Sequence, residues 1–149
     1  MDTSTVTEQL RALMVADTAR FDGVTIERSE FVNDDADRTV KGWIGIYKQR
    51  VRYTPETMAA GDARRFDTNI NLLLVIQRCA STGALCEVAL EELVDKVFDF
   101  LLDNDSIGGL VEQVKSADIA YSYDPRSKKA DNLFMQTAVM LVELEVANG

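Results

Sequence analysis

The sequence predicts an α+β (α/β) fold in a single domain over residues 1–149: a mixed or antiparallel sheet of about four to five strands packed against one long and one N-terminal helix. Three observations carry this. Residues 84–103 repeat apolar positions at the three- and four-residue spacing of a helix stripe, and several other segments alternate with the two-residue period of strands. A chain of 149 residues can also bury roughly 68–70% of its unfolded surface without disulfides or metals. With 46% apolar and 28% charged residues, the composition is that of a globular protein rather than a disordered one.

From Thr5 to Phe21, the residues Val6, Leu10, Leu13 and Met14 share one helical face, with Thr5 or Thr7 as the cap, and Asp22-Gly23 stops the helix. Val24 to Phe31 alternates weakly, as a short edge strand does, and residues 33–37 are too polar for anything but an exposed loop. Gly42 to Tyr53 reads as a long strand. Trp43, Tyr47, Val51 and Tyr53 fall on one face and Ile44, Ile46, Lys48, Arg50 and Arg52 on the other, so the second face turns from apolar to basic partway along. Thr54 to Asp67, with Pro55 and Gly61, is expected to be a mobile loop.

Ile70 to Ile76 is an almost continuous apolar run, the pattern of a central strand covered on both faces. Ser81-Thr82-Gly83 then opens the clearest helix, Ala84 to Asp103, roughly 30 Å long at 1.5 Å per residue. Cys86, Ala89, Leu90, Leu93, Val94, Val97, Phe100 and Leu101 form its core stripe, and Glu87, Glu91, Asp95 and Asp99 form an acidic ridge on the solvent side. Gly108-Gly109 is a turn, since it follows a helix and lacks the frame of a nucleotide-binding loop. Ala117, Ile119, Tyr121 and Tyr123 mark one strand and Phe134 to Val146 another. The two are expected to join as a hairpin whose connection, 124–132, is polar, basic and flexible.

Charge is segregated along the chain. The net charge is −9, yet Arg38 to Arg65 holds seven cations against Glu56 and Asp62. Two electrical poles on one surface match the opposite poles of an identical copy, which orients association more than it adds affinity. Lys48, Arg50 and Arg52 stand roughly 6–7 Å apart at the two-residue repeat, and two uses for them stay open: cross-strand acids within the subunit, or another molecule.

Several function classes are disfavoured. The acidic balance argues against nucleic acid as the main ligand. Histidine is absent, which removes the usual general base, the His-assisted nucleophiles and most catalytic zinc sites. A solvated acidic ridge lacks the apolar pocket that raises a carboxyl pKa for acid–base work. Cys79 and Cys86 have neither His partners nor Cys-x-x-Cys spacing, and read as small buried hydrophobes. No catalytic residue, metal or cofactor is therefore expected. Met1 to Thr5 lacks a basic lead and an apolar core, and no run approaches 18 apolar residues, so cytosolic synthesis and no membrane association are expected. For a small-ligand pocket the candidates are Trp43, Tyr47 and Tyr53, with packing on a strand face as the competing explanation.

Trp43-Ile44-Gly45-Ile46-Tyr47 running into Val51-x-Tyr53-x-Pro55, then Leu74-Val75-Ile76-Gln77, Cys86-Glu87 with Leu90-Glu91-x-Leu93-Val94, and a closing Tyr121-x-Tyr123 hairpin form a further pattern. From Gly23 onward this order of segments resembles the tail terminator proteins of long-tailed (siphovirus-type) bacteriophages. The resemblance implies a structural virion protein made in the host bacterial cytoplasm. Six copies would form a ring that caps the tail tube, stops its polymerisation and offers its other face to the head. The implied partners are the chain itself, the tail tube protein, the head–tail connector or other neck proteins and the tape measure protein, with DNA only as cargo passing through the lumen. A head–tail connector or tail completion protein is the alternative within that class.

A closed ring needs unlike patches that meet head to tail. Lys48, Arg50, Arg52, Arg64 and Arg65 are the candidate basic patch, Glu87, Glu91, Asp95 and Asp99 the candidate acidic one, and Arg126, Lys128 and Lys129 a candidate flexible docking loop. A second placement turns the basic residues toward the lumen and its DNA.

Overall fold

In the N-terminal segment an aspartate interrupts the expected single helix. The computed structural model describes residues 3–28, 41–55, 66–122, 128–130 and 133–148, and it begins with α1 (Thr3–Ala16) and the single turn α2 (Thr18–Phe21). Asp17 causes the break: its carboxylate accepts the Arg20 backbone N–H and pairs with the Arg20 guanidinium at 2.7 Å, capping a new turn. Val6, Leu10 and Met14 are buried as the stripe predicts, and Thr7 is buried beside them rather than serving as the cap. Gly23, at φ +75°, then redirects the chain into β1 (Thr25–Arg28). That strand lies within the expected span Val24 to Phe31; residues 29–40 lie outside the described residues.

The other strands are β2 (Trp43–Pro55), β3 (Phe66–Ala80), β4 (Gln113–Ser122), β5 (Lys128–Ala130) and β6 (Leu133–Asn148), with α3 (Gly83–Asp103) between β3 and β4. Five strands lie in the order β1–β2–β3–β6–β4, and β5 pairs with β6. β1 is parallel to β2 and every other pairing is antiparallel, which makes the sheet mixed. β3 extends well past the apolar 70–76 run on both sides. Its polar first residues, Asp67 to Asn69, are paired on β2 and on β6, and those ladders hold the segment extended.

The helices cover one face of this sheet. Ile44 and Ile46 from β2, Ile70, Leu72, Leu74 and Ile76 from β3, and Ala138, Met140, Val142 and Leu144 from β6 are all completely buried there. α1 packs over β1 and β2, and α3 over β3 and β6. The opposite, back face of β3 is half-buried at Asn71 and Leu73 and buried from Val75 through Gln77 to Cys79, so the expected cover on both faces holds only for its later part. α3 starts where Thr82 accepts the Leu85 N–H at 3.1 Å, and its buried stripe is the predicted one. Arg20 also reaches Asp103, and Phe21 meets Phe100 edge-on at 5.7 Å, so α2 is fastened to the C-terminal end of α3. Gly108 (φ +65°) and Gly109 (φ +85°) make the expected turn.

A β-bulge corrects the reading of β2. Lys48 pairs with Leu72 and Arg50 with Asn71, which leaves Gln49 as an extra residue. One inserted residue inverts the alternation of everything after it. Val51 therefore joins Ile44, Ile46 and Lys48 on the helix side, opposite Ile70, while Arg50 and Arg52 join Trp43, Gly45 and Tyr47 on the back face. The three cations do not form one row.

The region 124–132 is not entirely connection either: Lys128 and Lys129 belong to β5, which folds back on the start of β6 through Lys128↔Phe134 and Ala130↔Leu133. Arg126, Arg64 and Arg65 lie outside the described residues.

Candidate functional site

Two surfaces of unlike charge stand on opposite sides of the sheet. The acidic one begins with α3. Glu87, Glu91, Asp95 and Asp99 are all exposed, and none is ion-paired with another described residue. They do not look into open solvent alone. Glu87 and Glu91 form one wall of a cavity of about 190 Å³ whose other wall includes Tyr121 of β4. The Tyr121 hydroxyl is held above its usual pKa first by burial and then by the negative charges of Asp95 and Glu91, which places those carboxylates toward β4.

This arrangement follows from where α3 lies. It covers β3 and β6, so the helix-side residues of β4, namely Val114, Ala117, Ile119 and Tyr121, border an open groove along its flank. Lys115 is the extra residue of a second bulge, between Val114 and Ser116, and it keeps all four on that side. At the far end of the groove a second cavity, about 290 Å³, is lined by Phe98, Leu102, Val114 and Ala117. Leu102 is 75% exposed and Tyr121 52% exposed, large apolar surfaces for a strand and a helix of a folded chain. At the near end the Gln136 side chain, only 3% exposed, lines the smaller cavity, and its Nε2 donor has no hydrogen-bond partner among the described residues. An unsatisfied buried amide is costly, of the order of 1–3 kcal/mol.

The basic surface lies on the back face at the β2 end. Arg50 and Arg52 are exposed and have no ion pair with another described residue. Their cross-strand neighbours on β3 are Asn71 and Asn69, and the acids Glu143 and Glu145 stand one strand further, on β6, about 10 Å away at two strand spacings. Cross-strand pairing of these arginines with acids of the same subunit is thus not what the sheet register arranges. Tyr47 and Leu73 sit beside them on the same face, both half-buried. β1 pairs only Trp43 to Ile46 of β2, and β4 ends the sheet on the other side, so both margins carry a stretch of outer edge unpaired among the described strands. Lys48, on the helix side, belongs to neither surface.

The remaining candidates are structural. Trp43 is 1% exposed; its indole lies over Gly45, where a Cβ would approach the ring to 2.4 Å, and its Nε1 donates to Glu27 at 3.2 Å. Trp43 and Tyr47 share the back face, and the Tyr53 side chain lies outside the described residues. Cys79 and Cys86 are buried, and the Cys86 thiol donates to the carbonyls of Arg78 and Phe134 while burial pushes its pKa up. A polar cavity of about 280 Å³ beside α2 and α3 is a junction between elements: Arg20 there is held by Asp17 and Asp103, and Arg78 donates to the Lys41 carbonyl at 2.6 Å.

Among the described residues no group of three or more His, Cys, Asp or Glu is placed to hold a metal ion, and no helix is long and apolar enough to cross a membrane. No protein-family model matches the chain, and no curated protein matches it. Tyr121 and Gln136 are the site residues that sequence reasoning passed over. The available signal was Gln136 itself, a polar residue at the head of the core-facing series Ala138, Met140, Val142 and Leu144.

Proposed function

We propose that this chain is a structural component of a phage virion. Copies join head to tail into a ring, six-membered by its resemblance to tail terminators, that caps the tail tube, stops its polymerisation and presents the other ring face for head–tail joining. The observation that carries this reading is the placement of charges of opposite sign, not ion-paired among the described residues, on opposite margins and opposite faces of one sheet. Arg50 and Arg52 stand at the β2 margin, and Glu87, Glu91 and Asp95 of α3 face the β4 margin. Among the described residues neither group is ion-paired, whereas a head-to-tail neighbour supplies the opposite charge to both, and heterologous contacts form rings where the rotation between copies closes. Both poles are solvent-accessible, so steering and register are the main gains and salt weakens them.

The direct test adds the purified chain to polymerising tail tube protein of the same phage and measures tube length by electron microscopy. Tubes that stop growing and carry a ring at one end are expected. Unaltered tube growth with no bound ring would reject the reading.

A further inference from the structure

We propose that the groove between α3 and β4 receives, from a second copy of the chain, the back-face patch made by Tyr47, Arg50, Arg52 and Leu73. This rests on the ring reading above and specifies its subunit contact. Three features of the groove ask for an occupant of this chemistry. Its floor, Val114, Ala117, Ile119 and Tyr121, is an apolar strand surface covered only in part: the first three pack half-buried against the core and Tyr121 is 52% exposed. Its wall is a line of carboxylates, Glu87, Glu91 and Asp95, none of them ion-paired with another described residue. At its end the buried Gln136 side chain lines the smaller cavity with an Nε2 donor unpartnered among the described residues, which a backbone carbonyl of an incoming segment would complete.

Charge and geometry then select the occupant. Two grooves placed face to face would set carboxylate against carboxylate, which excludes a two-fold contact through this surface. The Arg50 and Arg52 patch matches both requirements at once, since its cations flank the half-buried apolar pair Tyr47 and Leu73. It points away from the helix side of its own sheet, so it is closed to its own groove and open to a neighbour's. Seating the back face of one β2–β3 end on the floor of the next groove repeats from copy to copy without using the same surface twice.

The contact is tested in the full chain by placing one cysteine in each half, Tyr121→Cys and Arg52→Cys together. The native Cys79 and Cys86 are buried and contribute little background. Treatment with a short bis-maleimide at low protein concentration is expected to give a covalent ladder that stops at the ring size, and neither single variant is expected to pass dimer. In parallel, Glu91→Lys with Asp95→Lys, and Arg50→Glu with Arg52→Glu, are each expected to weaken association at least tenfold, and an equimolar mixture of the two is expected to regain heteromeric assembly. Circular dichroism confirms that these exposed substitutions leave the fold intact. If the wild-type chain forms rings, but there is no ladder and both reversals assemble like wild type, the groove assignment is overturned and the ring reading survives. A wild-type chain that stays monomeric beside its tube protein overturns both.

Discussion

β3 and β4 present the same alternation to the same side of one sheet, yet only β3 is sealed. Ile70, Leu72, Leu74 and Ile76 are 0% exposed, whereas Val114, Ala117 and Ile119 remain half-buried and Tyr121 is 52% exposed. The side chains differ little; what differs is that α3 lies over one strand and runs alongside the other. A strand's pattern states which residues share a face, and the helix layer decides whether that face is finished. β4 is unfinished on the side where carboxylates stand, which is why the proposed occupant of that side is basic.

The largest effect should separate the two strands by substitution. Leu74→Ala removes a fully buried side chain from the centre of the sheet and should cost about 2–5 kcal/mol in denaturant unfolding. Ile119→Ala on β4 should cost the isolated subunit well under half of that, while ring assembly, followed by sedimentation, falls sharply. Equal losses of stability would erase the distinction between the strands.

Next in size is Gly45→Val. Because a Cβ at this position already meets the Trp43 ring at 2.4 Å, the branched side chain displaces the indole and should cost about 1–3 kcal/mol, as overpacking does. The fluorescence of Trp43, the sole tryptophan, should shift toward the red. Unchanged emission would show that the ring does not lie where the glycine admits it.

A smaller effect concerns pH. Burial raises the folded pKa of Cys86 above its unfolded value, which is about 8.5 for a free thiol. The folded state therefore holds this proton more tightly than the unfolded state does. The resulting stability is complete below the unfolded pKa and is lost as pH rises toward the folded one. Unfolding free energy should decline above about pH 8.5, and the decline should be shallower in Cys86→Ala; identical slopes would remove the thiol as its cause. The smallest change is expected from salt on the isolated subunit, whose surface ion pairs are weak, in contrast to its strong effect on assembly.

Much of this was legible in the sequence, and the exceptions have physical reasons. The stripe of α3 and the alternation of β4 and β6 each announce themselves, because period and burial agree there. The break at Asp17 does not, since an aspartate within a helical stripe reads the same whether it faces solvent or caps a new turn. The bulge at Gln49 is equally silent: an extra residue changes which face follows, and the apolar-to-basic switch it produces looks like a strand leaving the core. Asp67 reads as loop, and Thr68 and Asn69 carry no strand signal, because their ladders to β2 and β6 are long-range. The acidic ridge was visible as a helix face, but its relation to Tyr121 and Gln136 depends on which strand α3 fails to cover, and spacing along one chain does not encode that.

Sedimentation velocity of the full chain over a range of protein and salt concentrations tests most directly whether unlike surfaces join its copies. The account predicts one closed species larger than a dimer, present at low salt and dissociating as salt screens the two poles. A chain that stops at a two-fold dimer, or stays monomeric at every concentration with its tube protein present, would contradict it.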